Sequence, residues 1–407
     1  MRSNNFKTGL VLSVALTLFS FSAAVFAADP PSSNAPTITF HGFIDTSLFW
    51  QSQDFTFGNG QNAEFPVPNT GSNHNLSGIG VQNTRAWIDI KGATLSDGWS
   101  ISGHLEGDFF GGYNGTGGYS ASQETPRLRQ AFMQLSNTDS GSTITIGQQW
   151  DLLFPGESVP ESLTHIAFPL GFGTGMIGWR FPGVVYSQKL GQSAPDSMAW
   201  RLDLGAFTGS WDGPGSTINY DTAANVNFQP QIEARLHVEE GDWLGFLVGH
   251  YSTQDLSGIG GGTPTPITNT ITSTAIELGT TWHPGSFVLK AAVYNGKGLG
   301  QVFGAMAQFG DISETGGYVQ AGYKFTPNWA LYGSYATDHP NQNDVITWGG
   351  TRLKNQQYAL DLIYGNGPYG LGFEWMHAIL DSTTAATAPA ITSTGGNQFS
   401  VSAIYHF

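Results

Sequence analysis

From residue 37 onward the chain alternates between apolar and polar side chains with a period of two. In residues 37–51, Ile38, Phe40, Gly42, Ile44, Leu48 and Trp50 share one parity, and His41, Asp45 and Ser47 share the other. That alternation marks a β-strand with one face in an apolar medium. The rhythm returns over 80–91, 99–110, 127–135, 143–149, 177–190, 198–208, 231–239, 243–251, 272–283, 287–295, 317–325, 328–337, 356–364, 369–380 and 397–407, sixteen strands in all. The connections alternate as well. Short turns such as Glu240-Gly241-Asp242 and Pro284-Gly285 take turns with long loops, seven of the first and eight of the second. Short turns at one end and long loops at the other are the pattern of a bacterial outer-membrane barrel. An even count lets the first and last strands pair antiparallel, leaving no free edge.

The two faces then have to be assigned. Ile232, Ala234, Leu236 and Val238 oppose Gln231, Glu233, Arg235, His237 and Glu239, and Tyr358, Leu360, Leu362 and Tyr364 oppose Asp361. Sixteen strands enclose a lumen too wide for side chains to fill, so it holds water. The polar parity therefore faces inward and the apolar parity meets lipid. Trp50, Trp99, Trp243, Trp282, Trp329, Tyr335 and Phe407 lie near strand ends, where two aromatic girdles belong. The predicted architecture is all-β: a sixteen-stranded antiparallel transmembrane β-barrel over residues 37–407.

One loop departs from the others. Residues 150–176 are too long for a turn, and unpatterned loops of this length are usually functional or disordered. Their content argues against disorder, since they hold Phe154, Phe168 and Phe172 beside several Leu. They also carry Asp151, Glu157 and Glu161. The expectation is that this third outer loop folds into the barrel and narrows the pore, with a surface lid as the plainer reading.

Composition agrees with a membrane barrel. Only 11% of the 407 residues are charged and 13% are aromatic, against about 25% charged in ordinary soluble domains. Arg2 and Lys7 precede a short apolar run and the small-residue end Val25-Phe26-Ala27, which predicts a signal peptide over 1–27. A short Pro/Ser/Asn tail follows over 28–36. Without residues 1–27 the chain has 13 Lys+Arg against 30 Asp+Glu, a net charge of −17. That balance excludes nucleic acid as a partner, because phosphates need a basic footprint. The absence of Cys removes disulfides and thiolate metal sites. His41, His104, His237, His250, His283, His377 and His406 are scattered without close ligand spacing, so neither metal nor cofactor is expected.

The charged residues of the inward parity form the candidate site. Arg127 and Arg129 lie two apart on one strand, and Glu106 and Asp108 lie on the strand before it and are expected to pair with them. Arg85, Arg180, Arg201, Arg235, Lys290 and Lys324 fall on, or close to, the same parity. A basic wall facing Asp151, Glu157 and Glu161 of the loop sets a field across the pore, and such rings with pore width select solutes. Structural ion pairs anchoring the loop are the equal alternative. Paired carboxylates such as Glu106 and Asp108 are ordinary in a lumen, so no enzyme is expected.

Several runs are familiar. Leu105-Glu106-Gly107-Asp108-Phe109-Phe110-Gly111, Arg127-Leu128-Arg129-Gln130-Ala131-Phe132, Ile146-Gly147-Gln148-Gln149-Trp150 and Pro160-Glu161 resemble the DcaP-like group of trimeric, sixteen-stranded porins. The local similarity covers residues 105–190. The resemblance implies a homotrimer of water-filled channels, each constricted by its third outer loop, favouring small organic anions such as dicarboxylates. It departs in the helical N-terminal extension of some relatives, for which only 28–36 stands here. The last strand, with Phe399, Val401, Ala403, Tyr405 and Phe407 on the lipid parity, resembles the signal read by the barrel-assembly machinery.

Three functions follow from this reading. The first is an outer-membrane porin for passive diffusion of small hydrophilic solutes. The second is a channel selective for small organic anions. The third is a structural or adhesive surface barrel. Net charge favours cations and the resemblance favours anions, so the sequence leaves selectivity open.

Overall fold

The computed structural model describes residues 36–56, 58–67, 75–111, 124–191, 197–208, 229–255, 268, 270–301, 304–306, 310–384 and 390–407. The predicted signal peptide and nearly all of the tail lie outside them. Sixteen barrel strands form one closed antiparallel sheet. They are β1 (Thr37–Gln51), β2 (Leu76–Gly80 and Arg85–Thr94), β3 (Trp99–Gly111), β4 (Thr125–Asn137), β5 (Ser142–Trp150), β6 (Arg180–Leu190), β7 (Ala199–Phe207) and β8 (Gln231–Glu240). The second half comprises β9 (Trp243–Asp255), β10 (Thr270–Trp282), β11 (Phe287–Lys297), β12 (Ser313–Lys324), β13 (Trp329–Pro340), β14 (Arg352–Asn366), β15 (Tyr369–Thr383) and β16 (Ile391–His406). Each strand pairs with its chain neighbours, and β16 closes on β1 with Phe43 opposite His406 and Gln51 opposite Gln398. The aromatic ring of Phe407 stacks on Phe40 at 5.5 Å, in space that a side chain at Gly42 would occupy.

Two features differ from the sequence reading. The outer ends of β15 and β16 run beyond the expected 369–380 and 397–407, because Thr392, Ser393 and Thr394 still pair with Ser382, Asp381 and Leu380. Polar residues on both faces give no period-two signal there. The second strand is also broken. Arg85 lies opposite Phe43 but Gly80 opposite Ser47, so one extra residue is accommodated between the halves, a β-bulge by its register.

Burial is inverted relative to a soluble protein. Asp45, Ser47, Gln51, Glu233, Ser273, Gln320, Gln398 and Ser402 are buried, while Ile38, Phe40, Leu48, Ile232, Leu278, Phe287, Leu360, Phe399 and Val401 are exposed. Where one strand carries members of both sets they have opposite parity, as the alternation requires. A wall with apolar residues outward and polar residues inward is stable only with lipid around it and water or polar groups within.

The third outer loop, 151–179, carries much of the buried apolar surface. Leu152, Leu153, Ala167, Phe168, Phe172, Met176, Ile177 and Trp179 cluster with Phe110, Phe181, Phe207, Tyr294 and Tyr318 of the wall. A short helix, α1 (Gln342–Thr347), is capped by the Asn341 side chain, which accepts from the backbone N–H groups of Asn343 and Asp344.

Candidate functional site

The path of the loop is written in hydrogen bonds to inward-facing side chains. Leu152 N–H donates to Glu233 on β8 at 2.6 Å, and Ser158 Oγ bonds with Thr281 Oγ1 on β10 at 2.8 Å. Lys290 Nζ on β11 donates to Val159 O at 2.9 Å and to Glu161 at 2.7 Å. Gln320 on β12 brackets Glu161, accepting from its N–H at 2.7 Å and donating to its carbonyl at 3.0 Å. Ser162 Oγ donates to Glu374 on β15, and Thr164 Oγ1 bonds with Ser402 Oγ on β16 at 2.8 Å. The return leg meets β14, where Gly171 N–H donates to Gln357 and Asn355 Nδ2 donates to Gly173 O. Gly175 then presses its backbone on the wall at a φ of +109°, where a Cβ would fall 2.3 Å from Gly317 N. Only glycine fits there.

On the opposite wall the arginines come together. Arg127 grips Asp108 through Nε at 2.9 Å and Nη2 at 2.7 Å. Arg129 reaches Glu106 through Nε and Asp108 through Nη1 at 2.7 Å. Arg85 Nη1 lies 3.8 Å from Glu106. A bulge makes the double contact possible: Glu106 pairs with Gln130 and Gly107 with Leu128, so Arg129 is the extra residue. Both arginines point inward while Leu128 keeps to the lipid face.

Aromatic rings complete the group. The Arg127 guanidinium lies 5.4 Å from the rings of Phe110 and Phe168, and Arg129 lies 5.8 Å from Trp150. Arg180 sits over Trp179 at 4.1 Å and Trp150 at 4.7 Å. Register places Arg180 opposite Trp150, in the row of Gln148 and Pro182, yet its side chain is buried against these loop aromatics. Such contacts hold a guanidinium without neutralising it.

A second basic group lies beside the first. Arg201 holds Asp203 through Nε at 2.9 Å, Arg235 Nε is 3.5 Å from the same carboxylate, and Arg235 Nη1 donates to Phe154 O. One pair in each group has its carboxylate behind the arginine. Side-chain exposure is 36% for Arg201 and 21% for Arg127, against 2% for Asp203 and 0% for Asp108. Water in the lumen therefore meets guanidinium first.

The loop acids are placed differently from one another. Glu161 meets Lys290 and stays 43% exposed, and Glu157 is exposed in a 3₁₀ turn. Asp151 is buried at the loop base, where it accepts from Phe154 N–H at 3.0 Å. Burial pushes its carboxyl well above the usual range, and the neighbouring Glu233 adds to the rise. Further carboxyls are buried along the wall from β8 to β15: Glu233, Glu277, Glu314, Asp338, Asp361 and Glu374. No group of three or more His, Asp or Glu among the described residues is placed to hold a metal ion.

Sequence reasoning named the arginines but missed Asp203, whose spacing of two from Arg201 was the available signal. It also missed Trp150, Phe168 and Trp179 as partners of arginine, for which loop residues give no periodic signal. The glycine-rich 258–262 segment and most of loop 111–125 lie outside the described residues.

No family model and no curated protein matches the chain. Solved structures do match. The outer membrane channel DcaP of Acinetobacter baumannii superposes with a TM-score of 0.70 at 18% identity, over 94% of this chain and 100% of that one. The fold is that of the outer-membrane porins. An anion-selective porin from Comamonas acidovorans gives a TM-score of 0.59 at 16% identity, over 92% and 100% of the two chains. The trimer form of OmpT from Vibrio cholerae gives 0.58 at 14% identity, over 92% and 100%.

Proposed function

We propose that this protein is an outer-membrane porin, in which small hydrophilic solutes diffuse passively through a lumen narrowed by residues 151–179. The single observation that carries the reading is the inverted barrel with a loop bound from β8 to β16 across its inner face. The inward positions Arg85, Glu106, Asp108, Arg127, Arg129, Arg180, Arg201 and Arg235 are its basic wall, with Glu157 and Glu161 opposite and Asp151 anchoring the loop. No step of this transport calls for a nucleophile or cofactor, so the assignment is a channel and not an enzyme.

The finer reading is a preference for small organic anions. Six arginines share three carboxylates in the two groups, Glu106, Asp108 and Asp203. The guanidinium groups of Arg127 and Arg201 stand nearer the water than Asp108 and Asp203. The acids of the far wall are buried, where they act on solutes less than the exposed cations do. A planar carboxylate passing Arg127 and Arg201 meets forked donors in sequence. We further propose a homotrimer, a short N-terminal tail after cleavage at residue 27, and recognition by the barrel-assembly machinery through the strand ending at Phe407.

Single-channel recording in planar bilayers under a KCl gradient tests the reading. Stepwise conductance in threes, an anion-directed reversal potential and block by added dicarboxylate are expected. Ohmic steps with no anion preference would leave a general porin. A correctly folded protein giving no steps would overturn the channel itself.

A further inference from the structure

The first loop also enters the barrel. Polar composition predicted an outer loop over 52–79, yet residues 55–56 and 65–66 form a small hairpin, Phe55 opposite Pro66 and Thr56 opposite Phe65. Its turn reaches into the lumen: Gln61, Asn62, Ala63, Glu64 and Phe65 are all buried. Phe55 and Ala63 pack with Leu170 of the third loop and with Ala359, Met376 and Ala378 of the wall. Phe65 packs with Met306 and Leu380.

A chain of amides joins the two loops at the break in β2. Gln61 Nε2 donates to Ser47 Oγ at 2.9 Å and also to Asp45. Gln61 Oε1 accepts from Asn83 N–H at 3.1 Å. The Asn83 side chain is fully buried and grips the third loop twice. Its Nδ2 donates to Thr164 O at 2.7 Å, and its Oδ1 accepts from Ala167 N–H at 3.1 Å. The register shift between Gly80 and Arg85 is what frees this residue from the ladder. A bulge that re-aims one side chain is a common device beside functional sites.

We infer that Asn83, held by Gln61, is a positioning residue that sets where the third loop stands in the lumen, and so sets the channel's width. The inference rests on the porin reading. Asn83 grips residues 164–167 from the break in β2. Glu374 and Ser402 hold residues 162–165 from β15 and β16, and Asn83 holds the same leg from the β2 side. Losing its two hydrogen bonds leaves two buried backbone groups unpaired, so that leg of the loop shifts or fluctuates.

The test compares wild-type protein with Asn83→Ala, Asn83→Asp and Asn83→Cys/Thr164→Cys in planar bilayers. Heat-modifiable mobility on gels confirms that each barrel is folded. Asn83→Ala is expected to raise unitary conductance roughly two-fold, add open-channel noise and admit larger neutral polymers. Asn83→Asp keeps the acceptor for Ala167 and loses the donor to Thr164, so it falls between. The chain has no native Cys, so oxidation of the double variant restores wild-type conductance and reduction releases it. Folded Asn83→Ala with wild-type conductance and polymer cut-off would overturn the inference and leave the porin reading intact. Absence of channels in the wild type would overturn the porin reading instead.

Discussion

The two halves of the inner wall treat their charges in opposite ways. From β2 to β8, Arg127 and Arg201 stand in front of Asp108 and Asp203 and reach water. From β8 to β15, the acids Glu233, Glu277, Glu314, Asp338, Asp361 and Glu374 lie buried. There the loop and the wall share in partnering them. His165 Nδ1 lies 2.7 Å from Glu374, Leu152 N–H reaches Glu233, and Tyr294 OH reaches Asp338 within the same packed region. On the porin reading proposed above, uncovered arginine and covered acid would let a chain of net charge −15 offer a basic path. What a solute meets depends on which groups touch water, and only then on how many there are.

Removing the cover is the strongest challenge to that contrast. Gly175→Val forces a Cβ into the backbone of Gly317, so the loop must lift. Conductance should rise several-fold and the reversal potential should move toward cations as the acids emerge. An unchanged reversal potential at raised conductance would show that the covered acids play no part in selectivity.

Reversing the uncovered charge acts on the other wall. Arg127→Glu places a carboxylate against Asp108 and should turn a modest anion preference into a cation preference in the same recordings. Its barrel should remain folded, because Arg129 still holds Asp108 at 2.7 Å.

Salt offers a milder test of the same contrast. The Debye length falls from about 10 Å at 0.1 M to about 3 Å at 1 M. Anion preference should therefore shrink as KCl is raised, while unitary conductance grows.

The smallest effect is expected from pH at the first loop. Burial pushes the Glu64 carboxyl from its ordinary 4.5 up to about 8, opposed by the positive charge of Arg352. A carboxyl raised on docking favours the docked hairpin fully below about 4.5, and this advantage is lost as pH rises through about 8. Open-channel noise should increase across that window, and Glu64→Gln should remove the increase.

Much of the barrel was legible from alternation, and the reasons are local. Residues 231–239 carry their faces in plain order, and register then places Glu233 opposite His250 and Ala234 opposite Gly249. The Glu106, Asp108, Arg127 and Arg129 pairing was legible because the two strands are joined directly and the charges share a parity. What was not legible depends on contacts distant in sequence. Asn83 meets Thr164 across 81 residues, and Leu152 meets Glu233 across 81. Phe55 and Phe65 flank the Gly58 to Gln61 turn, a hairpin signal hidden inside a polar loop. Asp151 had no pattern to show that it lies beneath the loop instead of in the channel.

The extra residue at Arg129 also bears on how this wall tolerates change. A loop can gain or lose residues without altering the strands around it. A strand held in register cannot, since each one-residue slip exchanges its two faces. Deleting Leu128 would erase the bulge and leave Arg129 opposite Gly107, on the lipid face, where an arginine costs about 2–4 kcal/mol at the midplane and less toward the interfaces. The charge pattern of the channel is thus open to substitution one residue at a time and closed to insertion or deletion. Variation in length is left to the outer loops, and variation in selectivity to the identity of side chains already facing inward.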